Sequence, residues 1–283
     1  GSREQKEKHL PKLASGEMIA SFCLTEPEVG SDAASLKTTA IKEGDNYIIN
    51  GTKRFITNAP EAGLFTVFAR TNPEGKRAKG VSAFVIERNT KGISIGPYEK
   101  KMGMWGGHVS DVIFENCVVS SSALLGEEGK GFISAMKILE RARIHMAAVS
   151  VGVAERIIDE SLRYATNRKQ FGRPISDFQM IQSMIAESKA ECYAAKCMVI
   201  DAAKNYDDGK PITLVSSCSK LFATEMVNKV ADRGVQIHGG YGYIRDNAVE
   251  RLYRDVRLFK LYEGTSEIQK IIIAKNLIKS LSN

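Results

Sequence analysis

The sequence has 283 residues, of which 43% are hydrophobic and 26% are charged, and its formal net charge is +7. A chain of this length and composition can bury a substantial core, and it fits two domains better than one small domain. No apolar run approaches the roughly 18 residues that a membrane span needs. Lys and Arg are spread along the chain instead of being concentrated in one arm, which argues against nucleic-acid binding. We expect a soluble protein that binds no nucleic acid.

The cysteines and histidines indicate neither disulfides nor a metal site. The five cysteines form no CxxC pair, and their odd number favours reduced, buried thiols in an intracellular protein. The four histidines are too scattered to form a metal centre. The N-terminal residues have no signal-peptide core. The predicted location is therefore cytoplasmic, or the mitochondrial matrix if the source is eukaryotic.

Short strands dominate the first part of the chain. Residues 4–13 predict the end of a helix that stops near Pro11. From residue 18 to about 125, short apolar runs alternate with turns rich in Gly, Asn and Pro. The strand candidates are residues 47–51, 64–69, 81–86, 111–114 and 118–119. This pattern predicts an antiparallel β-barrel or sandwich domain over residues 18–125.

After residue 126 the pattern becomes helical almost to the end of the chain. Apolar residues spaced by three and four predict a long helix from about 132 to 167. A second helix is predicted from Ser176, where Ser176 and Gln179 fit a capping box, to about residue 206. Further helices are predicted at residues 212–238, between 247 and 256, and after Glu263. Together these segments predict an α+β protein, with an up-and-down helical bundle over residues 126–283.

The stretch from Leu261 to Gln269 is the strongest candidate for a catalytic site. It places Glu263 on a tight turn, where Gly264 permits positive φ and close approach of a ligand. Thr265 or Ser266 can cap the helix that follows, and Ser266 with Gln269 fits an S-x-x-Q capping box. A carboxylate at such a turn can serve as a general base if it is desolvated. The alternative is an exposed Glu that complements the helix dipole.

Other stretches carry groups suited to a polar ligand. Thr25 and Ser31 offer donors on a loop shaped by Pro and Gly, and Phe55 and Thr57 add an aromatic face and a second hydroxyl. Each of these stretches could also be an ordinary turn. The glycines at 126–131 lack the Lys-Ser/Thr of a phosphate loop, and those at 239–242 do not follow a strand as in a dinucleotide-binding fingerprint.

Two arginines could have either a structural role or a role in binding a ligand. Arg168 lies at a helix end, where it could complement the helix dipole or hold a diphosphate. Arg143 interrupts the apolar stripe of the long helix. It could pair with Glu140, or it could meet a substrate carbonyl or phosphate.

Taken together, these stretches resemble the acyl-CoA dehydrogenase family. The matching segments are Cys-Leu-Thr-Glu-Pro at 23–27, Gly-Ser-Asp at 30–32, Phe-Ile-Thr-Asn at 55–58, Arg-Lys-Gln-Phe-Gly at 168–172, Gln-Ile-His-Gly-Gly-Tyr-Gly at 236–242, Arg-Asp at 254–255 and Tyr-Glu-Gly-Thr-Ser at 262–266. Their order and spacing agree across essentially the whole chain. The family begins with a further helical domain, so residues 1–17 are expected to be the remnant of one that is otherwise missing.

The resemblance implies FAD bound between a β-domain and a C-terminal bundle. Positions that match cofactor contacts are Phe22, Leu24, Thr25, Gly30, Ser31, Phe55, Thr57, Arg168, Phe171, Gln179, Gln236, Gly239, Gly240, Thr265 and Glu267. Among them, Gln179, Gln236, Gly239 and Gly240 would reach the cofactor of a neighbouring subunit, which implies a homo-oligomer, a dimer or tetramer. Positions that match substrate contacts are Ser31, Arg143, Tyr262, Glu263 and Gly264.

The resemblance also implies a reaction. Glu263 would remove the α-proton of a fatty or branched acyl-CoA while the β-hydrogen leaves as hydride to flavin N5, and an electron-transfer flavoprotein would accept the electrons. Some relatives carry the base one residue before the Arg143 position, but that residue here is Ala142. Burial would raise the pKa of Glu263 and the nearby helix N-terminus would lower it, which leaves the net direction open. Alternatives are an oxidase or reductase of the same architecture, or a non-catalytic acyl-CoA or flavin-binding protein.

Overall fold

The computed structural model describes residues 1–75 and 78–281. The chain divides into two compact units. The β unit comprises residues 1–101 and 105–137, and the helical unit comprises residues 102–104 and the chain from 138 on. The α+β class is confirmed, while the predicted domain boundaries stay a prediction.

The β unit is built on one seven-stranded sheet. Its elements are helix α1 (Arg3–Ser15) and strands β1 (Ala20–Cys23), β2 (Thr39–Glu43), β3 (Asn46–Thr57), β4 (Leu64–Arg70), β5 (Val81–Glu87), β6 (Ile93–Ile95) and β7 (Val109–Ser120). The strand order is β1-β4-β2-β3-β7-β6, with β5 beside β4. The expectation of antiparallel pairing throughout is wrong, because β4 is parallel to both β1 and β2. Parallel neighbours need long crossovers, which local sequence does not reveal.

Strand β3 runs farther than predicted. Residues 47–51 are its first part only, and Gly51 lies inside the strand instead of in a turn. Gly51 has φ +148°, and a Cβ there would lie 2.8 Å from Cα of Thr38. The glycine is therefore required by the close approach of the neighbouring backbone.

Aromatic residues fill the core of the β unit. Tyr47, Phe65, Phe84 and Phe114 are buried together. The rings of Tyr47 and Phe84 meet edge to face at 5.0 Å, a favoured geometry for aromatic pairs. The Tyr47 hydroxyl donates to Glu128 at 2.7 Å, which satisfies its polar end. This core supports the sheet on which the candidate cofactor residues lie.

Helix α1 continues past Pro11 to Ser15, so the predicted stop near Pro11 is wrong. A capping box between Ser2 and Gln5 satisfies its first turn, and Gly16 ends it at φ +77°. The side chain of Gln5 also donates to the carbonyls of two residues after β7. The helix therefore continues although Pro11 cannot donate a backbone hydrogen bond within it.

The helical unit follows the predicted pattern closely. Its helices are α2 (Gly131–Asn167), which begins in the β unit, α3 (Gln179–Asp207), α4 (Thr213–His238), α5 (Ala248–Val256) and α6 (Ser266–Ser280), and its short strands are β8 (Lys169–Gln170) and β9 (Arg173–Pro174). The predicted capping box at Ser176 is wrong. Residues Ile175–Asp177 form a 3-10 turn, and Phe178 is the N-cap without a side-chain bond.

The expectation that the cysteines are buried thiols holds for three of the five. Cys23, Cys117 and Cys192 are buried free thiols, whereas Cys197 on α3 is exposed and Cys218 is half-buried. Within residues 1–75 and 78–281, none of the helices is both long and apolar enough to span a membrane. The same part of the chain contains no group of three His, Cys, Asp or Glu side chains arranged for a metal ion.

Candidate active site

Glu263 lies on a turn of left-handed backbone between the 3-10 helix Arg257–Lys260 and α6. Glu263 has φ +56° and Gly264 has φ +84°. On the side before the turn, the ring of Tyr262 stacks on buried Phe259 at 6.0 Å. On the side after it, the hydroxyl of Thr265 accepts from the Ile268 amide and caps α6. A positive φ at a residue other than glycine is costly and persists only where the surroundings enforce it.

Two fully buried side chains enforce this turn. Nε2 of Gln269 donates to the carbonyl of Gly264 at 2.9 Å and to that of Glu263 at 3.2 Å. Nζ of Lys220, on α4, donates to the same Gly264 carbonyl at 2.9 Å. Lys220 and Gln269 are both 0% exposed. Their three hydrogen bonds satisfy carbonyls that the turn would otherwise bury unpaired.

The predicted capping box of Ser266 with Gln269 is wrong. Thr265 is the cap, and Gln269 faces the turn carbonyls. The Ser266 hydroxyl instead donates to Glu225 Oε1 at 2.6 Å, and Lys260 contacts the other oxygen of Glu225 at 3.1 Å. The polar residues at the start of α6 therefore bind the turn and α4.

Burial raises the pKa of Glu263, and the charges of Arg143 and Lys220 oppose that rise without cancelling it. Burial followed by the nearby Glu263 charge also raises the pKa of Tyr262. The net shift of the Glu263 pKa, whose direction the sequence left open, is therefore upward. Oε2 of Glu263 is buried and has no hydrogen-bond partner among the described residues. A buried carboxyl oxygen without a partner is available to a ligand or its proton.

Arg143 of α2 is the second buried cation near this carboxyl. It is 6% exposed, and its Nε is buried with no hydrogen-bond partner in the described chain. Burial lowers its pKa, and the charges of Glu140 and Glu263 oppose that shift. Glu140 accepts a hydrogen bond from Thr213. An Arg N–H that is buried and unpaired can donate to an oxygen of a ligand.

The β unit holds the loop of Leu24 and Thr25 with a buried ion pair that sequence reasoning missed. Nζ of Lys53 lies 2.8 Å from Glu26 Oε1 and 3.2 Å from the carbonyl of Leu24. The Glu26 carboxylate also accepts the amides of Lys37 at 2.6 Å and Thr38 at 2.9 Å. Although burial raises the pKa of Glu26, these contacts lower it overall.

Phe55 is turned outward by a bulge in β3. Between Lys53 and Ile56, β3 has one residue more than β7 opposite, and Phe55 takes φ +57°. Its ring is 58% exposed, with the Arg54 guanidinium 4.9 Å from its centre. Bulges of this kind re-aim a side chain next to functional sites.

The structure brings several predicted cofactor residues of the β unit together. Ser21 on β1 donates to the carbonyl of Thr57 at 2.7 Å, and the Arg54 amide donates to the carbonyl of Thr25 at 2.8 Å. The start of the loop therefore lies beside the end of β3. Of the predicted group, Leu24 is buried, Phe22 and Thr25 are half-buried, and Gly30, Ser31, Phe55 and Thr57 are exposed.

A second group lies around a cavity of about 760 Å³ in the helical unit. Arg168, Phe171, Gly239 and Gly240 are among its lining residues. Space is open at both glycines, where a Cβ would meet nothing within 4 Å. Gln179 and Gln236 are exposed and do not line this cavity, and Glu267 is exposed at the start of α6.

Aromatic residues that the sequence did not single out complete the cavity. The Tyr164 ring stacks on buried His238 at 4.3 Å, and the Arg168 guanidinium lies 5.7 Å from the Tyr241 ring centre. His238 Nδ1 donates to the carbonyl of Gly234 at 2.7 Å, which fixes its ring. Tyr164 near the end of α2 carries no local signal, because the cavity forms only when α2 packs beside the segment after α4.

Comparison with known proteins decides the family. Residues 21–117 match the family model for the acyl-CoA dehydrogenase middle domain, and residues 129–278 match the model for the acyl-CoA dehydrogenase C-terminal domain. The chain belongs to the acyl-CoA dehydrogenase family. FAD is the cofactor of this family.

Relatives within the family carry several activities in their names. The chain is 48% identical to 3-(aryl)acrylate reductase of Clostridium sporogenes, covering 99% of this chain and 74% of that protein. It is 44% identical to the Caffeyl-CoA reductase-Etf complex subunit CarC of Acetobacterium woodii, covering 99% and 73%. The solved structure of butyryl-CoA dehydrogenase from Megasphaera elsdenii matches with a TM-score of 0.95 at 38% identity, covering 98% and 73%.

The residues present fit the family cofactor. The helical unit offers a wide cavity with open glycine backbone and the Arg168 guanidinium, which suit a flat ring and a diphosphate. The β unit offers the exposed ring of Phe55, and it offers Thr25, whose carbonyl accepts from the neighbouring Arg54 amide. These are the group types that hold an aromatic heterocycle with polar edges.

Proposed function

We propose that this chain is a flavin-dependent acyl-CoA dehydrogenase in which Glu263 is the base. The observation that carries the proposal is the buried, unpartnered Oε2 of Glu263 on a strained turn. The α-proton of a thioester is weakly acidic, so a carboxylate with raised pKa is better matched to it. The product would be the trans-2-enoyl-CoA.

The residues around Glu263 have distinct tasks in this proposal. The N–H of Glu263 would donate to the thioester oxygen, where negative charge develops as the proton leaves. The unpaired Nε of Arg143 would donate to an oxygen of the CoA thioester. When bound, FAD supplies the acceptor for the hydride that leaves the β-carbon. The remaining predicted cofactor residues would hold FAD, with Gln179, Gln236, Gly239 and Gly240 contacting the FAD of a neighbouring subunit.

A fatty or branched acyl-CoA is the proposed substrate, an electron-transfer flavoprotein the proposed electron acceptor, and a homo-oligomer the proposed assembly. The name of the Acetobacterium woodii relative includes an Etf complex, which supports the choice of acceptor. A role in fatty acid β-oxidation follows from the substrate class. The cytoplasmic location stays a prediction.

Reduction of a 2-enoyl-CoA is the second candidate. Two of the relatives described above are named reductases. By microscopic reversibility, the carboxyl that removes the α-proton in one direction returns it in the other. Glu263 would then be the acid, with the same surroundings.

The test is anaerobic bleaching of the flavin absorbance of the purified holoprotein by a panel of saturated acyl-CoAs. Glu263→Gln should keep the flavin and lose bleaching by about 10²–10⁴-fold, because the general base is gone. Glu155→Gln is the matched control, since Glu155 is a partly exposed carboxylate of the same unit that pairs with Lys196 at 2.9 Å. Its bleaching rate should stay near that of the unmodified chain.

Bleaching of Glu263→Gln at the unmodified rate contradicts the assignment of the base. If no saturated acyl-CoA bleaches the flavin but 2-enoyl-CoAs reoxidise the chemically reduced protein, the reductase is correct. Oxygen consumption without a carrier identifies an oxidase. Ligand binding with neither reaction identifies a non-catalytic acyl-CoA or flavin-binding protein.

A further inference from the structure

Within residues 1–75 and 78–281, two lysine side chains are completely buried, and their surroundings differ. Lys53 in the β unit faces the carboxylate of Glu26 at 2.8 Å, the usual arrangement for a buried charge. Lys220 in the helical unit forms no salt bridge within 4 Å among the residues that the structure describes. Its ammonium group donates to the carbonyl of Gly264. A structural ion pair therefore does not account for Lys220.

The partner of Lys220 is the backbone of the turn that carries Glu263. The Gly264 carbonyl accepts from Lys220 and from Gln269, each at 2.9 Å. Both Glu263 and Gly264 are in left-handed conformation, so the direction of the Glu263 side chain depends on this turn staying fixed. Removal of either donor leaves one hydrogen bond on the carbonyl and loosens the turn.

We propose that Lys220 is a positioning residue for the proton transfer, which holds the Glu263–Gly264 turn through the Gly264 carbonyl and places a buried positive charge next to this turn. The inference rests on the proposed function of Glu263 as base or acid. Its first part is geometric and is shared with Gln269. Its second part is electrostatic and belongs to Lys220, since Gln269 carries no charge.

The electrostatic part has a defined direction. The positive charges of Arg143 and Lys220 both lower the pKa of Glu263, against burial, which raises it. Loss of the Lys220 charge therefore raises the proton affinity of Glu263 further. The charged or titratable groups that interact with Lys220 or Glu263 are Arg143, Glu225, Tyr262 and Glu267, and Glu140 in turn interacts with Arg143.

Lys220→Met and Gln269→Met form a matched pair, because each removes a hydrogen bond to Gly264 and only the first removes a charge. Both should slow bleaching by about 10–100-fold at neutral pH, since small misplacement of a reacting group has effects of this size. At low pH the bleaching rate should fall as Glu263 becomes protonated, which gives the pH profile an acidic limb. Only Lys220→Met should move this limb to higher pH, because only this variant loses the charge that lowers the Glu263 pKa. Lys220→Arg, which keeps the charge, should keep the limb of the unmodified chain. If Lys220→Met does not fold, Lys220→Gln is the neutral replacement.

A measurement independent of turnover separates this inference from the proposed function. Thermal unfolding at neutral pH is compared for Glu263→Gln in the unmodified chain and in Lys220→Met. Glu263→Gln should raise the Tm more in the Lys220→Met chain, because the buried carboxylate has there lost a compensating charge. Equal Tm changes in the two chains overturn the electrostatic part.

The two failures are distinguishable. An unchanged bleaching rate and pH profile in Lys220→Met overturn the positioning role. Coupling in Tm without bleaching by any acyl-CoA supports the Lys220–Glu263 interaction and refutes the dehydrogenase. The third outcome is an equal loss of bleaching rate in Lys220→Met and Gln269→Met, the same acidic limb in both, and no coupling in Tm. Lys220 would then supply a structural hydrogen bond only, and the proposal is overturned.

Discussion

The buried Glu26–Lys53 pair gives the sharpest stability prediction for the β unit. Glu26→Gln leaves the ammonium of Lys53, which is 0% exposed, without its countercharge. Breaking a buried ion pair by removing one partner costs about 3–5 kcal/mol. Gln also has one acceptor oxygen where the carboxylate has two, so an amide of Lys37 or Thr38 loses its acceptor at about 1 kcal/mol. The expected loss in the free energy of unfolding is about 4–6 kcal/mol.

Removing both charges should cost much less than the two single losses combined. Lys53→Met alone leaves a buried carboxylate that keeps its two backbone amides. The double variant Glu26→Gln with Lys53→Met leaves no buried charge, and its loss should be about 1–2 kcal/mol, from hydrogen bonds alone. The double-mutant cycle should therefore show a coupling energy of several kcal/mol.

Tryptophan fluorescence can report the unfolding of the β unit. Trp105 is the one tryptophan of the sequence, and it belongs to this unit. Urea unfolding followed by its fluorescence gives the free energy of each variant by linear extrapolation. A Glu26→Gln loss below about 1 kcal/mol, or a double variant as unstable as the sum of the singles, would refute the reasoning.

Two further predictions concern the turn. Gly264→Ala should lose about 1–3 kcal/mol of stability and most of the bleaching activity, because φ is +84° and the new methyl would lie 2.6 Å from Nε2 of Gln269; urea unfolding and the bleaching rate check this. Burial lowers the pKa of Lys220 from 10.5 to about 8, so the unfolded chain binds more protons between these values and stability should rise with pH across that range. Urea unfolding from pH 7 to 10.5 should show this rise in the unmodified chain and a smaller one in Lys220→Met, whereas identical slopes would contradict it.

Long helices were predictable because their evidence is local. The apolar spacing of α2 and α4 fixes the face that each helix buries, and both were found near the predicted bounds. Caps were harder. Ser176 and Ser266 both fit the capping pattern, yet Ser176 lies in a 3-10 turn and Ser266 donates to Glu225. A motif of four residues cannot tell which of two hydroxyls a tertiary partner will engage.

Strand pairing depended on information far apart in the sequence. Gly51 was interpreted as a turn, but Thr38 on the neighbouring backbone, 13 positions away, requires it inside a strand. The parallel pairing of β1 with β4 joins segments more than 40 residues apart. Such contacts follow from the assembled sheet and not from local propensity.

The turn that carries Glu263 was predictable, whereas the side chains that hold it were not. The positive φ of Gly264 agrees with a turn signal that is local in the sequence. Lys220 was missed because a lysine in a helix is usually on the solvent face, whereas α4 buries residues on most of its circumference. Lys53 and Glu26 are 27 positions apart, and neither alone indicates a buried pair.

Burial and two cations act in opposite directions on the pKa of Glu263. This opposition matters for a family whose members are named both dehydrogenases and reductases. A base in one direction is the acid in the other, so its carboxyl must exchange a proton at the working pH. Burial without the cations would favour the protonated form strongly, and the two cations without burial would favour the ionised form. In the folded chain these influences oppose each other, and burial has the larger effect on the Glu263 pKa. In the proposed reaction, Lys220, Gln269 and Arg143 would therefore influence how fast the proton moves, and this influence would apply in both directions.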